Sequence, residues 1–163
     1  MTILLKNKQT LQIEDFIFKC SVGKNGLSKL KKEGDLKTPK GIFGLGDLYF
    51  RNDRIKQPLT KLTSIKIKKN MGWCDEPNNK KYNQLIQTNK QISHEKLFRK
   101  DSKYDLLIPI KYNSNKIIPG MGSCIFLHLT KDYKTTKGCI AIKKKDFLIM
   151  LKLINKNTKI KIL

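Results

Sequence analysis

Arginine and histidine are scarce in this sequence: Arg51, Arg54 and Arg99, with His94 and His128, among 163 residues. Lysine therefore supplies almost all of a formal net charge of +22. So basic a chain invites a nucleic-acid reading. Bidentate recognition of bases and phosphates favours arginine, however, and the lysines are spread from Lys6 to Lys161 rather than gathered in one block. Nucleic acid is not the expected partner, although a polyanionic polymer still fits the charge.

Paired cysteine spacings are missing too. Cys20, Cys74, Cys124 and Cys139 form no CxxC motif, and two histidines supply a zinc site poorly, so no metal ligands are assigned. Cys20 and Cys124 sit in apolar, strand-like runs as small buried hydrophobes, and nothing calls for a disulfide. No apolar run approaches the roughly 18 residues of a spanning helix, so no membrane span is expected. The opening "MTILLKNKQTLQIEDF" has neither an apolar core of useful length nor a small-residue cleavage site, and does not read as a signal peptide. Repeats, low-complexity segments and linkers are also lacking. The chain is expected to be one domain, residues 1–163, large enough to bury a core, and a monomer.

What is present has mostly a period of two. "TILLK", "FIFKCSV", "GIFGLGDLYF", "SIKIKK", "YDLLIPIKY", "CIFLHL", "CIAI" and "KIKIL" are short runs rich in Ile, Leu, Phe and Tyr, divided by Gly, Asn, Asp and Pro. One helix is predicted near the C-terminus, with Asp146 as N-cap and Phe147, Met150, Leu151 and Ile154 on one face. A weaker helix is expected around Ser93–Arg99. Asn70–Gln91 reads as a long polar loop carrying the single tryptophan, Trp73, and such a loop is often a substrate wall. The fold class is mainly β, a sandwich or barrel with one packed C-terminal helix.

The stretch "HLTKDYKTTKGCIAI", His128–Ile142, carries the chemistry. If "CIFLHL" and "CIAI" pair as antiparallel neighbours, His128 and Cys139 face each other about 4.5–5.5 Å apart, within reach of an imidazole–thiol contact. Gly138 admits a positive φ and leaves room for a substrate carbonyl, and the Gly138 and Cys139 amides could face a developing oxyanion. A thiolate is the working nucleophile, favoured by a neighbouring imidazolium or by Lys137. The alternative is that His128 and Cys139 are ordinary core residues. On physics alone the two readings stand level.

The same stretch resembles the signature of the L,D-transpeptidase (YkuD-type) catalytic domain, a histidine, a spacer and then Ser/Thr-x-Gly-Cys, here Thr136-Lys137-Gly138-Cys139. "KEGDLKTPKGIFGLGDLYF" is similar to the family's Gly-Asp-x-x-Thr-Pro-x-Gly segment, and Gly34, Asp35, Thr38, Pro39 and Gly41 there read as scaffold. "GWCDEPNNKKYNQLI", "SHEKLFRKDSKYDLLIPIKYN" and "GSCIFLHL" resemble a branch with a tryptophan-bearing active-site loop. The resemblance covers nearly the whole chain. It departs at Lys137, where many members have a second histidine, at Ala141, at Leu129 and in a shorter spacer.

The resemblance implies a mainly β domain that transfers acyl groups on peptidoglycan stem peptides or muropeptides, with no metal or organic cofactor. Cys139 would form a thioester, His128 would move the proton, and Gly138 would shape the oxyanion site. Thr136, Lys137, Trp73, His94 and Asp75 are the candidate substrate contacts. Water as acceptor would make the protein an L,D-carboxypeptidase. A non-catalytic module binding cell wall or polyanions is the alternative from another class. The family's task places the protein at the cell wall or periplasm, whereas the lack of a legible signal peptide favours the cytoplasm.

Overall fold

The computed structural model describes residues 1–88 and 91–163. Among the described residues, fifteen strands and one helix follow one another. The first eight strands are β1 (Thr2–Asn7), β2 (Thr10–Ile13), β3 (Phe16–Ser21), β4 (Leu27–Ser28), β5 (Thr38–Pro39), β6 (Gly41–Gly44), β7 (Leu48–Phe50) and β8 (Ser64–Lys66). Then come β9 (Met71–Cys74), β10 (Leu85–Gln87), β11 (His94–Lys96), β12 (Leu106–Pro109), β13 (Phe126–Leu129), β14 (Ile140–Ile142), α1 (Lys144–Leu153) and β15 (Lys159–Ile162). The mainly β class with one C-terminal helix is what the period-two patterning predicts.

Ten strands make one sheet in the order β6-β15-β1-β2-β3-β14-β13-β12-β7-β8. It curls: beyond the edge strand β6, Gly46 N–H donates to Pro109 O at 2.8 Å, and Lys111 N–H donates to Gly44 O at 2.9 Å. The chain thus ties one edge of the sheet to β12, near the other edge. Alternating residues of β1, β2, β3 and β15 point inward, as in Ile3, Leu5, Leu11, Ile13, Phe18, Ile160 and Ile162. They meet Phe147, Met150, Leu151 and Ile154 of the helix face in the main core.

Strands β12, β13 and β14 are buried throughout. Leu106, Ile108, Leu127, Leu129, Ile140 and Ile142 face the main core. The alternate residues Leu107, Phe126 and Cys139 join Tyr49, Ile67, Leu97 and Tyr104 in a second cluster on the other face. Burial on both faces explains why these strands read as unbroken apolar runs.

Three expectations change. α1 begins at Lys144 with Lys143 at the N-cap and no side-chain cap, so Asp146 lies inside the first turn. There its carboxylate still meets the positive end of the helix dipole. Ser93–Arg99 is not helical: His94–Lys96 form β11, recruited by pairing with β9, and tertiary pairing outweighs the propensity of so short a segment. The polar stretch Asn70–Gln91, whose residues 89 and 90 lie outside the described set, is not simply a loop. It supplies β9 and β10 of a second sheet in the order β10-β9-β11. Met71 and Trp73 pack this sheet onto the second cluster, over β12–β14.

Candidate active site

β13 and β14 run parallel, with Leu127 opposite Ile140 and His128 opposite Ala141. The antiparallel facing of His128 and Cys139 is thereby corrected. The connection, residues 130–139, is long enough to bring the chain back to the starting end of β13. It is anchored on the way: Thr136 N–H donates to Val22 O at 2.9 Å, and Lys24 N–H donates to Thr136 O at 2.9 Å. Lys19 and Lys143 also set their ammonium groups over the Tyr133 ring, 4.8 and 5.4 Å from its centroid. One step before the ladder begins, Cys139 lies beside Phe126, whose N–H donates to the Cys139 sulfur at 3.3 Å. His128 lies in β13 and Cys139 directly precedes the neighbouring β14, and both line one cavity of about 780 Å³.

The thiol is held from two sides. Its Sγ–H donates to Cys124 O at 3.2 Å, while Phe126 N–H approaches the sulfur. Burial pushes the Cys139 pKa up to about 12, against the downward pull of the Phe126 amide. His128 is 5% exposed. Its Nδ1 pairs with Leu129 O at 2.9 Å, which assigns the proton to Nδ1 and leaves a lone pair on Nε2. Burial pushes its pKa down to about 4; the Leu129 carbonyl opposes this, and the Lys103 and Arg99 charges add to it. The Tyr104 ring stands edge-on to the imidazole at 5.3 Å and to Phe126 at 5.8 Å, fixing the ring plane. Burial thus favours the neutral form of both groups.

The Gly-Cys turn is pinned by two threonines. Thr136 Oγ1 accepts from Gly138 N–H at 3.1 Å and donates to Cys139 O at 2.6 Å. Gly138 has φ +146°, and a Cβ there would lie 2.9 Å from Lys37 O, so both conformation and space require glycine. The Gly138 amide, expected to face a developing oxyanion, donates to Thr136 Oγ1 in this structure.

The other candidates divide. Thr136, Lys137 and Asp75 line the cavity of Cys139. Asp75 accepts a 2.6 Å hydrogen bond from Ser93 Oγ. Trp73 does not line it. Its ring meets Tyr49 and Phe126 edge-on, with centroids 6.3 and 5.4 Å away, and its Nε1–H donates to Asn83 Oδ1 at 3.0 Å. It borders a smaller adjoining cavity of about 330 Å³. His94 is absent from both cavity walls. Its Nδ1 pairs with Ile92 O at 2.6 Å, and its Nε2 is buried without a partner among the described residues.

The chain matches the L,D-transpeptidase catalytic domain family, YkuD, over residues 1–162. It belongs to that family. Two solved structures are similar to it. One is Bd1075 of Bdellovibrio bacteriovorus, at 17% identity and a TM-score of 0.49, covering 99% of this chain and 47% of that one. The other is an L,D-transpeptidase from Mycobacterium smegmatis, at 10% identity and a TM-score of 0.44, covering 99% and 58%. The chain thus spans about half the length of these solved chains. No curated protein matches it. YkuD domains as a family act on peptidoglycan peptides.

Within this candidate site, sequence reasoning missed Tyr104, the Cys124 carbonyl, the Phe126 amide and the cavity-lining Glu33 and Lys103, and it read the cavity-lining Glu95 as structural. Two of these are backbone groups, which carry no residue-type signal. Tyr104 begins the "YDLLIPIKY" run and reads there as strand composition.

Proposed function

We propose that the protein is a cysteine acyltransferase acting on peptidoglycan stem peptides, an L,D-transpeptidase. The observation that carries this reading is the sharing of one cavity wall by Cys139 and His128, with the imidazole tautomer fixed by Leu129 so that Nε2 is the base. In the first half-reaction Cys139 Sγ attacks the carbonyl of the diamino acid at its bond to a terminal D-amino acid. His128 Nε2 takes the thiol proton as the S–C bond forms, then gives it to the leaving amine as the C–N bond breaks. An amine of a second stem, or a free D-amino acid, then attacks the thioester and regenerates the thiol. Asp75 and Lys137, on the same wall, supply opposite charges for the amines and carboxylates of the peptide.

Intact-mass analysis after incubation with a carbapenem tests the nucleophile. A covalent adduct is expected on the wild type and none on Cys139→Ala. His128→Ala should fold yet acylate on the order of 100-fold more slowly, the scale of general-base effects. A wild type that forms no adduct and turns over no tetrapeptide muropeptide would be a binding module instead.

A further inference from the structure

The backbone around the nucleophile has four polar groups, and their partners can be counted. Gly138 N–H donates to Thr136 Oγ1, and Cys139 O accepts from the same hydroxyl. Gly138 O accepts from Thr38 Oγ1 at 2.7 Å. The fourth group is the Cys139 amide. It stands one residue ahead of the β13–β14 ladder, which begins at Ile140, and no hydrogen bond from it is found among the described residues. Cys139 is only 7% exposed, and a buried amide with no acceptor is costly unless a ligand supplies one.

Thr38 decides where that amide points. Its side chain is fully buried, and its hydroxyl is used in both directions, accepting from Gly23 N–H at 2.9 Å while donating to Gly138 O. A hydroxyl so constrained fixes the direction of the Gly138 carbonyl. The Gly138–Cys139 peptide is planar and trans, so its N–H points opposite to its C=O. Holding the carbonyl on Thr38 therefore turns the Cys139 amide away from Thr38.

We propose that Thr38 is a positioning residue that aims the Cys139 amide at the oxyanion formed during acyl transfer. This rests on the acyl-transfer reading above. As the Sγ–C bond forms and His128 takes the thiol proton, the carbonyl π pair moves onto oxygen. The Cys139 N–H donates to that oxygen until the pair returns and the C–N bond breaks. Thr38 touches neither substrate nor thiol; it acts through the peptide plane between Gly138 and Cys139.

The test compares two reactions of the same thiol. Acylation by a carbapenem develops an oxyanion; alkylation by iodoacetamide displaces iodide and develops none. Thr38→Val keeps the shape and removes both hydrogen bonds, whereas Thr38→Ser keeps the hydroxyl. For Thr38→Val, acylation should slow on the order of 100-fold, the scale of losing one oxyanion donor, while alkylation at the same pH stays near the wild-type rate. Thr38→Ser should restore most of the acylation. Equal losses in both reactions would mean that Thr38 merely holds the turn and would overturn the proposal, as would unchanged acylation in Thr38→Val. If Thr38→Val does not fold, Thr38→Ser decides: a large acylation deficit in that variant counts against the proposal. Wild type that is alkylated but never acylated would overturn the enzyme reading itself, a different failure.

Discussion

Folding moves His128 from water into an almost closed site, where it binds a proton only near pH 4 instead of its ordinary 6.5. The folded pKa is depressed, so the unfolded chain binds this proton first as pH falls. The stability associated with neutral His128 is present above about pH 6.5 and is lost as pH falls towards 4. A shift of this size corresponds to on the order of 3 kcal/mol. Melting temperature measured from pH 7 to pH 4 should fall steadily in the wild type and much less in His128→Ala, after normalising each to its own value at pH 7. Parallel curves would show that His128 titrates in the folded state as it does in water. The carboxylates act lower down. Hydrogen bonds from Arg99 hold Asp101 down to about 2, and those from Arg51 hold Asp53 down to about 2. Their contributions are present above the ordinary carboxylate range and vanish between about pH 4 and pH 2, so the two windows separate along the pH axis.

At the scale of elements, the site is a product of two-sided burial. Strands β12–β14 carry the main core on one face and the second cluster, with Cys139, on the other, and the small β10-β9-β11 sheet roofs the second face. Two truncations separate these roles. Phe147 is fully buried between α1 and the main core, and Leu97 is fully buried in the second cluster beside Phe126 and Cys139. Phe147→Ala should cost about 3–5 kcal/mol and Leu97→Ala about 2–5 kcal/mol by denaturant melts. Carbapenem acylation, measured well below each midpoint, should slow in Leu97→Ala and stay near wild type in Phe147→Ala. Equal acylation in both variants would detach the roof from the chemistry.

The same elements show what the sequence made legible. "KIKIL" alternates, and β15 is exposed and buried in strict turn. "CIFLHL" and "CIAI" were readable as strands, yet their parallel orientation was not, because a period of two is the same in either direction. The small sheet escaped because its strands have only three or four residues and pair outside the main sheet. Thr38 was legible as scaffold, but its bond to Gly138 was not, because that partner is 100 positions away. Cys139 and His128 stood out through the histidine–spacer–Thr-x-Gly-Cys pattern, since residue type alone left a core reading equally open.

For the whole molecule, charge sets two effects of opposite sign. The chain has 35 lysines and arginines against 13 acidic residues. The ion pairs among the described residues involve only Lys31, Arg51, Arg54, Arg99 and Lys134 on the cationic side. A net charge of +22 on one small fold repels itself, and salt screens this repulsion, with a Debye length of about 30 Å at 0.01 M falling to about 8 Å at 0.15 M. Added sodium chloride in that range should therefore raise the melting temperature, although it weakens the individual surface pairs, each worth only about 0–1 kcal/mol. Under the proposed function the same field would draw in anionic stem peptides, with Lys24, Lys103 and Lys137 at the Cys139 cavity focusing it there. For stem peptides bearing free carboxylates, kcat/KM should fall over the same salt range while kcat holds, because salt screens the encounter whereas kcat reports on substrate already bound. Amidated stem peptides, with less negative charge, should lose less. A melting temperature that drops with salt would place the stabilising balance in the ion pairs. A kcat that falls along with kcat/KM would place the charge effect in the chemical step.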